Sequence, residues 1–458
     1  MPETYWLERA WLGAADPGPA GAHVTGSGGS GDTVDGVLVA VEEGRFVRVE
    51  TGVAAPPGAH RLAGLTVPGL ANCHSHAFHR ALRGRTQRER GTFWSWREQM
   101  YALADRLDPD RYYDLARATY REMLAAGFTS VGEFHYLHHG RGGRPYDEPN
   151  AMGVALVEAA RDVGIRIALL DACYLGSGIG TPADGVQQRF SDGDAEGWAS
   201  RLERLEHAGG EEVVVGAAIH SVRAVPRDQI HLVADWADAH RAPLHAHLSE
   251  QVAENVACLA AYGETPTGVL EEAGALGPRS TVVHATHLTD ADVALLGDSR
   301  SHVCFCATTE RDLADGIGPS RLLHEAGALL TIGSDSHAVV DPFEEMRAVE
   351  LDERLASQER GHWSAAELLT AASAAGHRSL GFPDAGRIAV GAPADLVTLD
   401  LLSPRTAGTG GSAETAVFAA GAADVVHVVA QGRVVLEPGQ QRDVGAALDR
   451  AVRAVWED

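Results

Sequence analysis

Two histidines separated by one residue, His74 and His76, close the strand-like run that begins at Pro68. In a strand, residues i and i+2 project from one face, so this spacing can deliver two imidazoles to a single metal ion. A chain with 22 histidines also produces His-x-His by chance, so the pair gains meaning only from what stands at comparable places. Three further clusters stand there: His245-Ala-His247-Leu-Ser-Glu250, His284-Ala-Thr-His287 and Ser334-Asp335-Ser336-His337, each at the end of another apolar run.

Within these clusters the side-chain chemistries divide. Neutral His74, His76 and His247 with the carboxylate of Asp335 suit one divalent metal ion, zinc or alternatively iron, with water completing the shell. Such an ion lowers the pKa of a water toward about 7. Glu250, three residues past His247, is placed as a general acid/base, and His284 as a group that polarises or shuttles a proton. His245 lies deeper on the face of His247 and reads as a packed histidine. Asp335 taken alone also reads as a helix N-cap within Ser-Asp-Ser. His287 reads as a loop residue.

Eight apolar runs must carry these groups: Leu65–Cys73, Thr129–His135, Ile165–Ala172, Val213–Ile219, Pro243–His247, Thr281–Ala285, His302–Cys306 and Leu329–Gly333. Amphipathic stretches lie between most of them, among them 111–126, 151–163, 227–240 and 319–326, and alternation of this kind predicts an α/β protein with a (β/α)8 TIM-type barrel over 65–385. Active sites of such barrels sit at the C-terminal strand ends, which is where the clusters fall. Both termini are rich in β-like runs and each is too short to bury a core alone, so 1–64 and 386–458 are expected to form one small β-sandwich domain. The Gly/Ser run at 26–31 reads as a flexible insertion.

Charge narrows the partners. A net charge of −25 repels nucleic acid and anionic membranes, and a small anionic substrate would need local arginines. All 38 basic residues are arginine, so Schiff-base chemistry, a phosphate-binding lysine and a lysine-bridged pair of metals are excluded. Five scattered cysteines without a C-x-x-C pair fit neither a disulfide framework nor a thiolate metal site. The N-terminus lacks the pattern of a secretory signal and no run is long and apolar enough for a membrane helix, which predicts a cytoplasmic protein.

Taken together, His74-x-His76, His247-x-x-Glu250, His284 and Asp335 resemble the amidohydrolase superfamily, in its mononuclear-metal deaminating branch. The resemblance spans nearly the whole chain, including the closing Gly391-Ala-Pro-Ala-Asp-Leu-Val. It implies that Glu250 and His284 handle protons while Asp335 takes one from the attacking water. Four further segments, His74-Ser-His-Ala-Phe-His-Arg80, Phe93-Trp-Ser-Trp-Arg-Glu-Gln-Met-Tyr101, Gly132-Glu-Phe-His-Tyr-Leu-His-His139 and His220-Ser-Val-Arg223, are similar to members that hydrolyse a linear amidine carrying two carboxylates. They imply Arg97, Tyr136, His220 and Arg223 as substrate contacts and a small dianionic substrate; a homodimer is the expected assembly. His79 stands where those members carry Gln, and is expected to touch the substrate as well. A deaminase of another amidine, a guanidino acid or a heterocyclic base would keep the same fold. An inactive metal-binding scaffold would have no use for Glu250 and His284.

Overall fold

The computed structural model describes residues 2–13, 33–87, 93–205 and 210–457, and the Gly/Ser run at 26–31 lies outside them. Eight parallel strands form the central sheet: Leu70–Ser75, Phe128–His135, Arg166–Cys173, Val213–Ile219, Leu244–Leu248, Ser280–His284, His302–Phe305 and Leu329–Ile332. They neighbour one another in chain order, and nearly every residue in them is buried, as a sheet covered on both faces requires. The ring closes where the chain just past the eighth strand meets the first. Ser334 and Asp335 donate backbone N–H bonds to His74 O at 3.1 and 2.9 Å, and Asn72 Nδ2 reaches Ser334 Oγ at 2.7 Å. These bonds bring Asp335 beside His74 and His76.

Helix formation between strands follows local rules. Pro109–Ala126 starts at Asp108, whose side chain accepts the Arg111 N–H at 2.9 Å, and ends at Gly127, whose φ of +106° suits a residue without Cβ. Its buried face carries Tyr112, Leu115, Tyr120 and Met123.

The first expected strand, Leu65–Cys73, is two strands. His60–Pro68 belongs to the small sheet and Leu70–Ser75 to the barrel. Gly69 is the crossing point because a Cβ there would lie 2.2 Å from Thr129 Oγ1 and 2.6 Å from Asp395 Cβ. Apolar content runs unbroken across the crossing, so periodicity alone shows no seam.

The small domain is a seven-stranded mixed sheet built from both termini. It joins Glu3–Ala10, Val34–Glu42, Arg45–Glu50 and His60–Pro68 to Leu396–Leu399, Val425–Ala430 and Arg433–Leu436. The hairpin at one edge bends back toward the other: Ala394 N donates to Gly44 O at 2.8 Å, and Tyr5 OH to Gly432 O at 3.0 Å. A separate core of Tyr5, Leu7, Val39, Phe46, Leu396 and Val429 fills the space between. One part of 386–458 leaves this domain. Helix Gln441–Trp456 lies on the barrel helix Pro109–Ala126, with Trp456 Nε1 donating to Ala81 O at 2.9 Å and Gln441 Nε2 to Ala125 O at 3.3 Å. Val444, Leu448 and Val455 form its apolar face, and barrel surface was free to cover it.

Arg166, opening the third barrel strand, pairs with Asp395 of the small domain, and both are buried. Asp395 also accepts the Gln431 N–H at 2.7 Å. Removing one member leaves an uncompensated buried charge, so Asp395→Ala is expected to cost about 3–5 kcal/mol, read as a lowered urea midpoint. Unchanged stability would show that the pair does not join the domains.

Candidate active site

All four expected metal ligands converge. Ligand atoms of His74, His76, His247 and Asp335 lie within 4.8 Å of one another, and all four residues are buried. Asp335 Oδ1 is 3.4 Å from Nε2 of both His74 and His76, and the Nε2 atoms of His74 and His247 are 3.1 Å apart. Backbone carbonyls set the tautomers. His76 Nδ1 donates to Phe134 O at 2.9 Å and His247 Nδ1 to His220 O at 2.8 Å, so each neutral ring turns an unprotonated Nε2 into the cluster. Burial, reinforced by neighbouring imidazoles, lowers the His76 pKa to about 3 and that of His247 well below its ordinary value. Burial alone would raise the Asp335 carboxyl, but the hydrogen bond from His74 and the nearby His284 and His76 hold it well below the usual carboxylate range. Neutral imidazoles and an ionised carboxylate with lone pairs facing inward are what a divalent cation needs.

Positive φ angles at the strand ends mark the same place. His284 has φ +72°, Asp335 +40° and Ser249 +49°, a left-handed region that residues with a Cβ adopt only where surroundings enforce it. These residues turn the chain so that side chains at the strand ends face the barrel axis.

Around this cluster stand the groups able to move protons. His284 Nε2 lies 4.0 Å from Glu250 Oε1 and 3.9 Å from Asp335 Oδ2, while its Nδ1 contacts Glu310 Oε1 at 3.3 Å. Burial disfavours a charged imidazole, yet the Glu310 hydrogen bond and the charges of Glu250 and Asp335 outweigh it and push the His284 pKa up to about 10. Glu310 was not legible in the sequence because it sits on the helix after the seventh strand, away from any histidine. His245 is the packed residue expected of it, its Nε2 bonded to Ser379 O at 3.2 Å.

A cavity of about 340 Å³ opens onto the cluster. His79, Arg97, Tyr136, His220 and Arg223, the five expected substrate contacts, all line it, as do Glu250, His284 and Asp335. His79 Nε2 bonds Tyr136 OH at 2.9 Å, so the two act as one wall. Arg223 is already partnered: its Nη2 is 3.1 Å from Glu250 Oε2 and its Nε 3.5 Å from Glu254 Oε2. Glu254 itself lines the cavity and was missed, since a glutamate in the first turn of helix Val252–Tyr262 has the ordinary reading of a favourable helix start. Tyr101 and Tyr174 also line the cavity and were not singled out.

A second group, His135, His138 and Asp171, has ligand-like spacing, but its carboxylate is spent. Arg201 donates to both Asp171 oxygens at 2.9 and 2.7 Å, and Trp198 Nε1 to one of them at 2.9 Å. A cation there would face a guanidinium, so the cluster is a buried ion-pair network.

Glu133 shapes the chelate from the second strand. Its oxygens accept the Ala77 N–H at 2.7 Å and the Ser75 hydroxyl at 2.8 Å, gripping the residues on both sides of His76. Burial raises its pKa to about 8 despite these bonds. A raised folded-state value stabilises the fold at low pH and loses that contribution as pH climbs from about 4.5 through 8. For the metal-free protein this amounts to on the order of 3 kcal/mol between pH 5 and 8, and Glu133→Gln is expected to flatten it, measured by urea unfolding across that range. An unaltered pH dependence would remove Glu133 as its source.

The sequence signature of the Amidohydrolase family matches residues 65–435. The chain is 38% identical over 414 residues to formimidoylglutamate deiminase of Pseudomonas aeruginosa, covering 87% of this chain and 89% of that protein. The chain belongs to the amidohydrolase family. This amidohydrolase is also 28% identical over 422 residues to a 5-methylthioadenosine/S-adenosylhomocysteine deaminase of Natronomonas pharaonis, covering 91% and 92%. Among solved structures it superimposes on an amidohydrolase from Brucella melitensis with a TM-score of 0.87 at 31% identity, over 99% of both chains. It is thus a metal-dependent type of hydrolase whose relatives act on C–N bonds, and the histidine and aspartate cluster is the part of this amidohydrolase suited to one divalent ion.

Proposed function

We propose that this amidohydrolase hydrolyses N-formimidoyl-L-glutamate to N-formyl-L-glutamate and ammonia, a step of histidine breakdown, with zinc as its metal. The observation that carries the reading is the pair Arg97 and Arg223, which reach the cavity of the deaminase-like centre from separate elements. Arginine forks bind carboxylates bidentately, and two of them match a substrate with two. With a divalent ion bound, Arg97 and Arg223 leave the cavity net cationic despite Glu250, Glu254 and Asp335. The likeness to the Pseudomonas aeruginosa enzyme supports the same substrate.

His74, His76, His247 and Asp335 would hold the ion, which when bound supplies Lewis acidity and makes water more acidic. Arg97 and Arg223 seat the carboxylates, with Tyr136, His79 and His220 walling the chain between them. Asp335 takes a proton from the water whose oxygen attacks the formimidoyl carbon. Glu250, 4.0 Å from His284, carries that proton onward to the terminal nitrogen, and His284 stabilises the negative charge that develops on oxygen. The remaining hydroxyl proton then passes by way of Asp335 and Glu250 to the same nitrogen as the C–N bond breaks, so both protons of the water leave with ammonia and the oxygen becomes the carbonyl of the formyl product.

A base deaminase is the second reading, because Trp96, Tyr136, Tyr174 and Phe190 in the cavity wall offer aromatic surface. Ammonia release from N-formimidoyl-L-glutamate, N-guanidino-L-glutamate and purine nucleosides, measured in parallel on zinc-loaded protein, separates the two. Release from the formimidoyl compound alone is the expected result. Turnover only of a nucleoside would overturn the proposal.

A further inference from the structure

The cavity contains two tyrosine hydroxyls whose hydrogen-bond direction is imposed from behind. Gln187, in the short helical turn Gly185–Phe190, lies outside the cavity lining and is buried. Its amide orientation is fixed by the cap of its own turn: Oε1 accepts the Asp184 backbone N–H at 3.3 Å, so the NH2 group must face the other way. Nε2 donates to Tyr174 OH at 2.7 Å and to Tyr101 OH at 2.9 Å. Arg97 Nε also donates to Tyr101 OH.

A phenol carries one proton and two lone pairs. Tyr101 OH, accepting from Gln187 and Arg97, has both lone pairs engaged and can only donate with what remains. Tyr174 OH accepts from Gln187 and likewise keeps its proton. If one hydroxyl turns its proton to the other, at least one O–H is left to donate into the cavity that both rings line.

We infer that Gln187 sets the polarity of Tyr101 and Tyr174 so that, with Arg97, they form a seat for an acceptor-only anion, the substrate's second carboxylate. The inference rests on the dicarboxylate reading above and adds to it. An amide in the carboxylate's place would bring N–H groups against donors and be disfavoured, because the seat offers several hydrogens and a single lone pair, the one on Tyr174 that Gln187 leaves unused. Gln187 is a positioning residue in this scheme, while the two hydroxyls touch the ligand.

The test uses the zinc-loaded full chain with Tyr174→Phe and Gln187→Met, each checked for normal metal content. Kinetics are measured on N-formimidoyl-L-glutamate and on its γ-amide, N-formimidoyl-L-glutamine, and binding of glutarate is measured by calorimetry. Both variants are expected to raise KM for the dicarboxylate about tenfold or more, with kcat within about threefold, and to weaken glutarate similarly. KM for the γ-amide should move less than about threefold, so the preference for the acid over the amide collapses. Equal effects on acid and amide, or none on either, would overturn the seat. If the wild-type protein turns over neither compound, the substrate reading fails separately. Glutarate binding then still decides: weakening in both variants supports the seat, and unchanged binding overturns it.

Discussion

Glu250→Gln lowers kcat by about 10²–10⁴-fold while the metal stays bound, because the amide keeps the shape of the carboxylate but cannot carry a proton. Glu250 is 4.0 Å from His284 and 3.1 Å from Arg223, yet it belongs to no cluster of metal-ligand atoms, so metal content should be unaffected. The contact with Arg223 has a second consequence. Replacing Glu250 releases the guanidinium for substrate carboxylate, so KM should hold steady or fall while kcat collapses. Steady-state kinetics with metal analysis of the same preparation make the check, and near-normal turnover with metal bound would remove Glu250 from proton transfer.

The other large effect concerns the ion. Stripping the protein with a chelator should abolish turnover, with one equivalent of a divalent metal restoring it. A single equivalent is expected because the only lysine-free grouping with its carboxylate unspent, among the described residues, is His74, His76, His247 and Asp335. His247→Ala should fail to hold metal even when folded, since it removes the Nε2 that the bond of Nδ1 to His220 O aims into the cluster. Loss of the ion also removes its contribution to stability, about 2.7 kcal/mol at a free concentration one hundred times Kd. A chelator-dependent drop in Tm in the wild type but not in His247→Ala would bear this out. Full activity after exhaustive chelation would refute a metal mechanism.

Much of the fold was legible because period and burial reinforce each other along a parallel barrel. The run Val213–Ile219 and helices Ala151–Val163 and Arg227–His240 stand in the structure where their patterns end. Legibility failed where backbone changed partners without changing composition, as at Gly69 between two sheets, and where an amphipathic helix at the C-terminus had two surfaces to choose from.

The division at the site has one physical cause. Sequence by itself determined the ligand types and their strand-end positions: two histidines at period two where the first strand ends, His247 on the fifth, and an aspartate after the eighth. Composition likewise excluded lysine chemistry outright. Only tertiary structure decided which nitrogen His76 and His247 present, through the carbonyls of Phe134 and His220 from neighbouring segments of the barrel. It alone paired His284 with Glu310, shared Arg223 between Glu250 and Glu254, and turned two tyrosine hydroxyls by way of Gln187. Ligand identity is a property of a residue, whereas protonation and hydrogen-bond direction belong to pairs of groups that the chain brings together from tens to hundreds of residues apart.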